Sequence, residues 1–283
     1  MDALRYKLIA IDLDGTLLDS QSQVPERNRR AIAMARERGV MVVICTGRGI
    51  RSTRPILEHL QLDTRAPVIF RNGSIVRSEL HGVTWYRRSF LGDEVKPLLR
   101  RMLAAGIHPV VCVDEYPHED FYLMDKTLTI PVERDFYYKF HGAIREVPDL
   151  LAVAYPEVSV VGARGDTALL HGLQAAVQQD PALNVSSHVI ALPSGVSYFE
   201  GHQSGTSKWA GLEYLLWHFG WQPADVLAIG DAMNDVQMIR SAGYGVAMAN
   251  SDPACHAAAK EIAPPNDDCG VAYIIEKHLG NGG

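Results

Sequence analysis

Two aspartates stand one residue apart near the start of the chain, in the run Asp12-Leu13-Asp14-Gly15-Thr16. The apolar residues 8–11 before them predict a buried strand, and Gly15 predicts a turn. Because side chains alternate along a strand, the two carboxylates leave it on the same side. Crowded carboxylates repel each other, which favours a bound cation or one retained proton. Both states suit phosphoryl chemistry, although an Asp-x-Asp-Gly run is also a common plain turn.

Polar residues also follow three other predicted strands. Strand 40–44 is followed by Cys45-Thr46-Gly47-Arg48, strand 68–70 by Arg71-Asn72-Gly73-Ser74, and strand 226–229 by Gly230-Asp231-Ala232-Met233-Asn234-Asp235. Strands that alternate with helices form parallel sheets, whose carboxyl ends meet at one rim. We therefore expect Asp12, Thr46 and Asp231 to lie close together.

Lys208 stands near the start of a predicted helix, after Ser204-Gly205-Thr206-Ser207. A cation at that end opposes the helix dipole, although most lysines are simply solvated. Acids at a helix start, such as Asp235, often only satisfy the dipole. The recurrence of a carboxylate at a strand end in one sheet favours a functional interpretation of Asp231, with Lys208 as its partner.

The order of elements predicts an α/β fold with a doubly wound parallel, Rossmann-like sheet. Helices are expected between Pro25 and Gly39 and over 50–60, 253–260 and 271–278, and a further strand over 244–248. Between about 83 and 190 the regular alternation of strand and helix is lost. Strands are expected there at 109–113, 121–124, 158–161 and 185–189, and helices at 92–105 and 167–178. We predict a core of residues 1–83 and 191–283 and an inserted α+β cap of residues 84–190, in which Tyr116, Phe136, Tyr137 and Tyr138 belong to core and turns.

Composition narrows the class of protein. The 283 residues are 47% hydrophobic and 21% charged, with a net charge of −6, which is ordinary for a globular protein and argues against nucleic acid or an anionic membrane as a partner. The four cysteines form no CxxC pair and the histidines no cluster, so we expect no zinc site, and Cys45 reads as a buried small hydrophobe. We see no signal peptide or membrane span, and expect a reduced, cytoplasmic enzyme.

A carboxylate-rich, all-oxygen site suits a hard cation, and Mg²⁺ is the usual one beside phosphate. A calcium loop does not fit, because Thr16 and Leu17 occupy the positions where it needs an oxygen ligand and a glycine. In phosphoryl transfer Asp12 can attack phosphorus, and Asp14 can protonate the leaving group and later take a proton from water. Asp231 would complete the metal site, with Asp235 in the shell behind it. The Thr46 hydroxyl and Lys208 would hold phosphate oxygens. The predicted phosphate-binding residues also include Gly47, Asn72 and Asn234.

These motifs resemble, in order and along the whole core, those of the haloacid dehalogenase superfamily of phosphatases, and closely its Cof-like branch with a large α+β (type IIB) cap. Asp12 to Thr16 is similar to the first motif, Thr46 to the second, Lys208 to the third, and Asp231 with Asp235 to the fourth. The resemblance implies that Mg²⁺ is bound by Asp12, by the main-chain carbonyl of Asp14 and by Asp231, and that Asn72-Gly73 leads into the cap. Trp209 and Ser74 depart from the smaller residues common in the family, without removing chemistry.

The resemblance implies a Mg²⁺-dependent phosphatase that acts on small phosphorylated metabolites, such as sugar phosphates, through an aspartyl phosphate. Two alternatives stay open: a phosphomutase similar to phosphomannomutase, and a non-catalytic phosphometabolite-binding protein. Dehalogenation is disfavoured because that branch lacks the carboxylate of Asp14, and a P-type pump because no membrane span is found. The sequence identifies neither the substrate nor the oligomeric state, although Arg87, Arg88, Arg134 and Lys139 could meet a second anionic group.

Overall fold

The computed structural model describes residues 6–61, 66–78, 82–114, 118, 120–124, 143–191 and 195–280. These residues divide into two compact units. The core unit lies within Met1–Arg48, Ser52–Arg87 and Ser207–Gly283, and the inserted unit within Gly49–Arg51 and Arg88–Thr206.

The strands of the described residues are, in chain order, β1 (Leu8–Ile11), β2 (Met41–Cys45), β3 (Pro67–Phe70), β4 (Ile75–Ser78), β5 (Val83–Arg87), β6 (Phe90–Leu91), β7 (Val110–Cys112), β8 (Phe121–Met124), β9 (Ile144–Val147), β10 (Glu157–Val158), β11 (Val160–Gly165), β12 (Val185–Ala191), β13 (Ser197–Gln203), β14 (Val226–Gly230), β15 (Tyr244–Met248) and β16 (Glu261–Ala263). The α-helices are α1 (Glu26–Glu37), α2 (Ile50–Leu60), α3 (Lys96–Ala104), α4 (Thr167–Gln178), α5 (Lys208–Phe219), α6 (Val236–Ser241), α7 (Pro253–Ala258) and α8 (Gly270–Leu279).

The core unit is built on an eight-stranded sheet in the order β16-β15-β14-β1-β2-β3-β4-β5. From β16 to β3 all neighbours run parallel, and β4 and β5 are added antiparallel at one edge. Strand β1 lies between β14 and β2, and all four of its residues are buried. A strand buried on both faces needs an uninterrupted apolar run, which Leu8–Ile11 supplies. The predicted parallel α/β sheet is confirmed.

Local residues set the ends of helix α5, which carries Lys208 at its first position. The hydroxyl of Ser207 accepts the main-chain N–H of Ala210 at 3.0 Å and so caps the helix. The helix ends at Gly220, whose φ of +66° is the left-handed conformation that glycine adopts most readily. Its buried side, which includes Leu212, faces the apolar core formed with residues of β1, β2 and β3.

The inserted unit contains a six-stranded sheet in the order β12-β13-β11-β7-β8-β9. All of its neighbours are antiparallel except β8 and β9. Side chains of this sheet, such as Phe199, share one apolar core with Leu99 of α3 and Leu173 of α4. The unit is therefore α+β, as predicted.

The structure differs from the sequence prediction at the unit boundaries and at six strands. Strand β5 pairs with β4 in the core sheet, and β13 belongs to the sheet of the inserted unit, so residues 84–87 leave the predicted cap and 191–206 leave the predicted core. The strands that were not predicted are β4, β5, β6, β9, β13 and β16. Strand β6 has only two residues, and the others carry polar or charged residues among their apolar ones.

Several predictions fall outside the described residues, namely those on Tyr116, Arg134, Phe136, Tyr137, Tyr138 and Lys139. Within the described part of the chain, no helix has the length and apolar character that crossing a bilayer requires.

Candidate active site

The carboxyl ends of four adjacent parallel strands bring the predicted residues to one rim of the core sheet. Ile11, the last residue of β1, pairs with Ile229 on one side and Ile44 on the other. The residues that follow these strand ends, Asp12 and Thr46 among them, therefore lie side by side. Asp231 follows β14 in the same way. This strand register explains why Asp12, Thr46 and Asp231 are expected to lie close together.

Lys208, Asp12 and Asp235 form a buried ion group, which we call the buried triad. The Lys208 ammonium lies 2.5 Å from Oδ1 of Asp12 and 2.7 Å from Oδ1 of Asp235. Their side chains are 1%, 6% and 0% exposed, in that order. A charge so deeply buried needs close partners of opposite sign. The triad thus explains why a lysine begins helix α5 against the preference of the helix dipole.

The carboxylates of Asp235 and Asp231 are each held by further hydrogen bonds. Oδ2 of Asp235 accepts the main-chain N–H groups of Asp231 at 3.1 Å and Ala232 at 3.0 Å, so it stabilises the loop after β14. The Thr16 hydroxyl donates to Oδ1 of Asp231 at 2.8 Å. Gly15 lies against the same carboxylate: a Cβ there would be 2.2 Å from Oδ2 of Asp231, and its φ is +79°. Both facts require glycine at this position.

Three carboxylates and one ammonium leave this part of the site with excess negative charge. Burial raises the pKa of Asp12 well above its ordinary value; Lys208 lowers it, and the charges of Asp235 and Asp231 raise it further. Burial also raises the pKa of Asp231 to about 6. For Lys208, burial lowers the pKa, but Asp12 and Asp235 outweigh burial and leave that pKa above its usual range. The excess charge favours a cation beside Asp12 and Asp231.

The fit of a cation can be judged from the oxygen atoms present. Asp12, Asp231 and Asp235 each offer a carboxylate oxygen, and these atoms lie within 4.8 Å of one another. Such a donor set is hard and contains no sulfur or imidazole, which suits Mg²⁺ better than zinc.

Asp14 and Arg48 form a second ion group, which we call the exposed pair. The guanidinium binds both carboxylate oxygens, with Nε 2.8 Å from Oδ2 and Nη2 2.5 Å from Oδ1. The side chains of Arg48 and Asp14 are 27% and 57% exposed. Asp14 therefore points to solvent from the same loop that buries Asp12.

The loops after β2 and β3 place the remaining predicted residues. The buried Thr46 hydroxyl accepts the main-chain N–H of Arg48 at 3.0 Å, which leaves its own proton available for donation. Asn72 accepts a hydrogen bond from the Asn234 amide at 2.9 Å. A Cβ at Gly47 would lie 3.1 Å from Oδ1 of Asn72. The structure thus brings Thr46, Gly47, Asn72 and Asn234 into one neighbourhood.

The turn after β3 has a left-handed backbone at three successive residues. Arg71, Asn72 and Gly73 have φ values of +48°, +54° and +101°. A Cβ at Gly73 would lie 1.9 Å from the carbonyl oxygen of Ser207, the residue before Lys208. Two non-glycine residues at positive φ store strain. Close packing of Gly73 on the start of α5 shows why the chain adopts that conformation here.

Two residues that sequence reasoning left without a role contact the predicted ones. Thr16 orients Asp231, and Arg48 binds Asp14. Arg48 is a cation that follows a strand end, and this is the signal that could have identified its role.

Trp209 and Ser74, which depart from the common family residues, are both buried in the core unit, and Cys45 is buried as predicted. Arg88 donates to the carbonyl of Ser204 at 3.0 Å, within the inserted unit.

Comparison with known proteins agrees with this geometry. The family described as haloacid dehalogenase-like hydrolase matches residues 9–275. The 5-amino-6-(5-phospho-D-ribitylamino)uracil phosphatase YwtE of Bacillus subtilis is 27% identical over 96% of this chain and 98% of its own length. The pyridoxal phosphate phosphatase YbhA of Escherichia coli is 28% identical over 96% of this chain and 98% of its own length. A crystal structure of a haloacid dehalogenase-like hydrolase from Bacteroides thetaiotaomicron superposes with a TM-score of 0.80 at 27% identity, covering 96% and 99% of the two chains.

Proposed function

Because the chain belongs to the haloacid dehalogenase-like hydrolases and is a phosphatase of that family, we propose that it hydrolyses small phosphorylated metabolites with Mg²⁺ and through a phosphorylated Asp12. The observation that carries this proposal is the buried triad at the end of the central strand. In it the Asp12 carboxylate, which we assign as the nucleophile, lies beside a buried ammonium, Lys208, and within reach of Asp231.

In the first step Asp12 attacks the phosphorus atom of the substrate. A bond forms between a carboxylate oxygen and phosphorus while the bond to the leaving oxygen breaks, which gives an aspartyl phosphate. Lys208 fixes one oxygen of Asp12 at 2.5 Å and so limits the directions from which the other can attack. This orientation is the positional part of catalysis.

Asp14 moves the protons of both steps. As an acid it gives a proton to the leaving oxygen, and as a base it then takes one from the water that attacks the aspartyl phosphate. That second attack breaks the phosphorus bond to Asp12 and releases inorganic phosphate. The donated proton leaves Asp14 as the carboxylate that the second step needs. Its solvent exposure allows the side chain to move, and its contact with Arg48 must open or shift for it to do so.

The phosphoryl oxygens need donors in the same neighbourhood. The hydroxyl proton of Thr46 is available because Arg48 N–H already occupies a lone pair of that oxygen. Lys208 supplies positive charge, and we assign the loops at Gly47, Asn72 and Asn234 to the same phosphate-binding surface. Donors fixed before the reaction stabilise charge that develops in the transition state.

Asp12, the main-chain carbonyl of Asp14 and Asp231 would hold the Mg²⁺ ion, with Asp235 fixing the loop behind them. When bound, the ion would offset the negative charge of the phosphoryl oxygens and of the carboxylates around it.

Phosphate release from a panel of phosphate esters tests the proposal. The panel should include sugar phosphates and, because the relatives carry those names, pyridoxal phosphate and 5-amino-6-(5-phospho-D-ribitylamino)uracil. We expect release with Mg²⁺, loss of release in excess chelator, and no turnover by Asp12→Asn with retained fold. Full activity of Asp12→Asn would contradict the mechanism.

The same panel separates the alternatives. A phosphomutase would release little phosphate and would need a bisphosphate activator, whereas a binding protein would bind esters without releasing phosphate. The panel is therefore run with and without a hexose bisphosphate. Binding of the esters is measured separately by calorimetry.

A further inference from the structure

The loop between β1 and α1 is held by the side chains of three asparagines. Its main chain makes one wide turn, in which Leu18 N–H donates to the carbonyl of Leu13 at 2.9 Å. The carbonyls of Gly15, Leu17 and Leu18 also need donors. Asparagine amides supply them in three pairs: Asn250 Nδ2 to Gly15 O at 2.9 Å, Asn28 Nδ2 to Leu17 O at 3.2 Å and Asn266 Nδ2 to Leu18 O at 2.8 Å.

Asn250 differs from the other two because its own loop also contacts the loop of Asp231. Two residues further on, the main-chain N–H of Asp252 donates to the carbonyl oxygen of Asp231 at 2.8 Å. The turn after β15 therefore bonds to both chain segments that carry the acids of the cation site. One segment contains Asp12 to Gly15, and the other begins at Asp231.

The amide of Asn250 is itself held in one orientation. Its Oδ1 accepts the main-chain N–H of Asn266 at 3.1 Å while its Nδ2 donates to Gly15. An amide can donate and accept at once, whereas a carboxylate cannot donate and a methyl group can do neither. The two bonds give Asn250 a fixed place although it is exposed to solvent.

Gly15 makes this restraint necessary. A side chain there would collide with Asp231, so the position must be glycine, and glycine leaves its own backbone torsions free. The peptide that precedes Gly15 carries the carbonyl of Asp14. A hydrogen bond to the carbonyl of Gly15 limits rotation of this turn, and with it the direction of the Asp14 carbonyl.

We propose that Asn250 is a positioning residue for the cation site, acting through Gly15 on the carbonyl of Asp14 and on the carboxylate of Asp231. This role rests on the proposed function, because it presumes a cation held by Asp12, Asp14 and Asp231. Asn250 does not touch the cation or the substrate. Its contribution is to keep two chain segments at the separation that the cation requires.

Cation binding in the absence of substrate tests the proposal. The midpoint of thermal unfolding is followed while Mg²⁺ is titrated into chelator-treated protein, for the wild type, Asn250→Ala and Asn250→Leu. Loss of an outer contact of a metal site lowers affinity by about tenfold or more, so we expect both variants to need about ten times more Mg²⁺ than the wild type for the same rise in unfolding temperature. We call the concentration for a chosen rise the Mg²⁺ requirement. The Mg²⁺ concentration for half-maximal phosphate release should rise in parallel, with kcat at saturating Mg²⁺ little changed.

Two matched variants serve as controls. Ser251→Ala alters the next residue of the same turn, whose hydroxyl, within the described part of the chain, donates only to the Asp252 carbonyl at 3.5 Å, and should leave the Mg²⁺ requirement unchanged. Asn28→Ala removes the buried amide that also accepts Ala272 N–H at 2.9 Å. It should lower the unfolding temperature in chelator, which the Asn250 variants should do far less.

The outcomes are distinct. An unchanged Mg²⁺ requirement in the Asn250 variants would overturn the proposal, as would a loss of stability like that of Asn28→Ala with no change in that requirement. A wild-type protein without any Mg²⁺-dependent shift would overturn the proposed cation site itself, and the role of Asn250 with it.

Discussion

The buried triad and the exposed pair are two ion groups of one loop region, and they differ above all in solvent exposure. Asp12 in the triad is 6% exposed, whereas Asp14 in the pair is 57% exposed, although the two residues are two positions apart. The chain leaves the strand conformation in the turn of residues 13–17, so the two carboxylates, expected on the same side, separate: Asp12 is buried and Asp14 is exposed. A buried carboxylate keeps one position, and an exposed one can move and exchange protons. The difference matches the two roles we propose, nucleophile and acid/base.

The energetic character of the two groups differs in the same way. Burial raises the pKa of Asp12 despite the contact with Lys208, so the triad is held at a free-energy cost when no cation is bound. Removal of one partner from such a group leaves a buried, unpaired charge. The exposed pair costs little to open, because water solvates both side chains once they separate.

Lys208→Met should have the largest effect, on stability and on activity together. We expect the free energy of unfolding at pH 8 in chelator to fall by about 3–5 kcal/mol, since Asp12 and Asp235 lose their buried partner. We expect kcat to fall by at least about 10²–10³-fold, as for other lost electrostatic donors. Denaturant unfolding and phosphate release measure the two quantities.

Lys277→Met is the matched control for that prediction. Lys277 pairs with Glu261 at 2.6 Å but is 49% exposed, so we expect less than about 1 kcal/mol of change. If Lys208→Met changed stability as little as Lys277→Met, burial would not distinguish the triad from a surface ion pair.

Asp14→Asn should separate activity from stability. Loss of a general acid/base lowers kcat by about 10²–10⁴-fold, while loss of an exposed ion pair changes the free energy of unfolding by less than about 1 kcal/mol. Asp93→Asn, which alters an exposed carboxylate paired with Lys96 at 2.6 Å, should affect neither quantity. A kcat equal to that of the wild type would remove Asp14 from proton transfer.

The two groups also show how far the sequence predicts the site. Asp12 and Asp14 follow an apolar run, and this local pattern predicts the strand and the turn, but not that one carboxylate is buried and the other exposed. The contact of Lys208 with Asp12 joins residues 196 positions apart. The order of the elements and the family resemblance made that partnership predictable. Elements that run from β1 to β3 and from α5 to β15 were predictable for the same reason.

Other contacts carry no such local signal. The amide of Asn250 meets Gly15 across 235 positions, and the guanidinium of Arg48 meets Asp14 across 34. Both depend on side-chain directions that only the folded chain defines. The unit boundaries were missed because β5 and β13 mix polar and apolar residues without a clear period, so their sequences do not show which sheet each belongs to.

Asp231→Asn should stabilise the cation-free protein in a pH-dependent way. Burial raises the pKa of Asp231 to about 6 from an ordinary value of 3.8, so the folded state binds its proton more tightly than the unfolded state. The stability from this proton is present below pH 4 and is lost as the pH rises to 6 and above. The neutral amide avoids the loss, and we expect a gain of about 2 kcal/mol at pH 8 that shrinks at pH 5.

Thermal unfolding in chelator at both pH values measures that gain, and Asp268→Asn, at an exposed aspartate, is the control that should show none. The same Asp231→Asn variant should lose the stabilisation by Mg²⁺. Equal unfolding temperatures of variant and wild type at pH 8 would contradict the strained charge that we assign to Asp231.

Arg48→Lys and Arg48→Met should have the smallest effects, and they test whether the exposed pair needs its geometry or only its charge. Lysine keeps the charge but cannot bind both oxygens of Asp14 as the guanidinium does. A misplaced proton donor slows the reaction, so we expect kcat to fall by about tenfold in both variants, with the free energy of unfolding changed by less than about 1 kcal/mol. Full activity of Arg48→Lys with reduced activity of Arg48→Met would show that charge alone suffices. A fall larger than that of Asp14→Asn would instead mean that Arg48 acts on the phosphoryl group directly, because orienting Asp14 cannot be worth more than Asp14 itself.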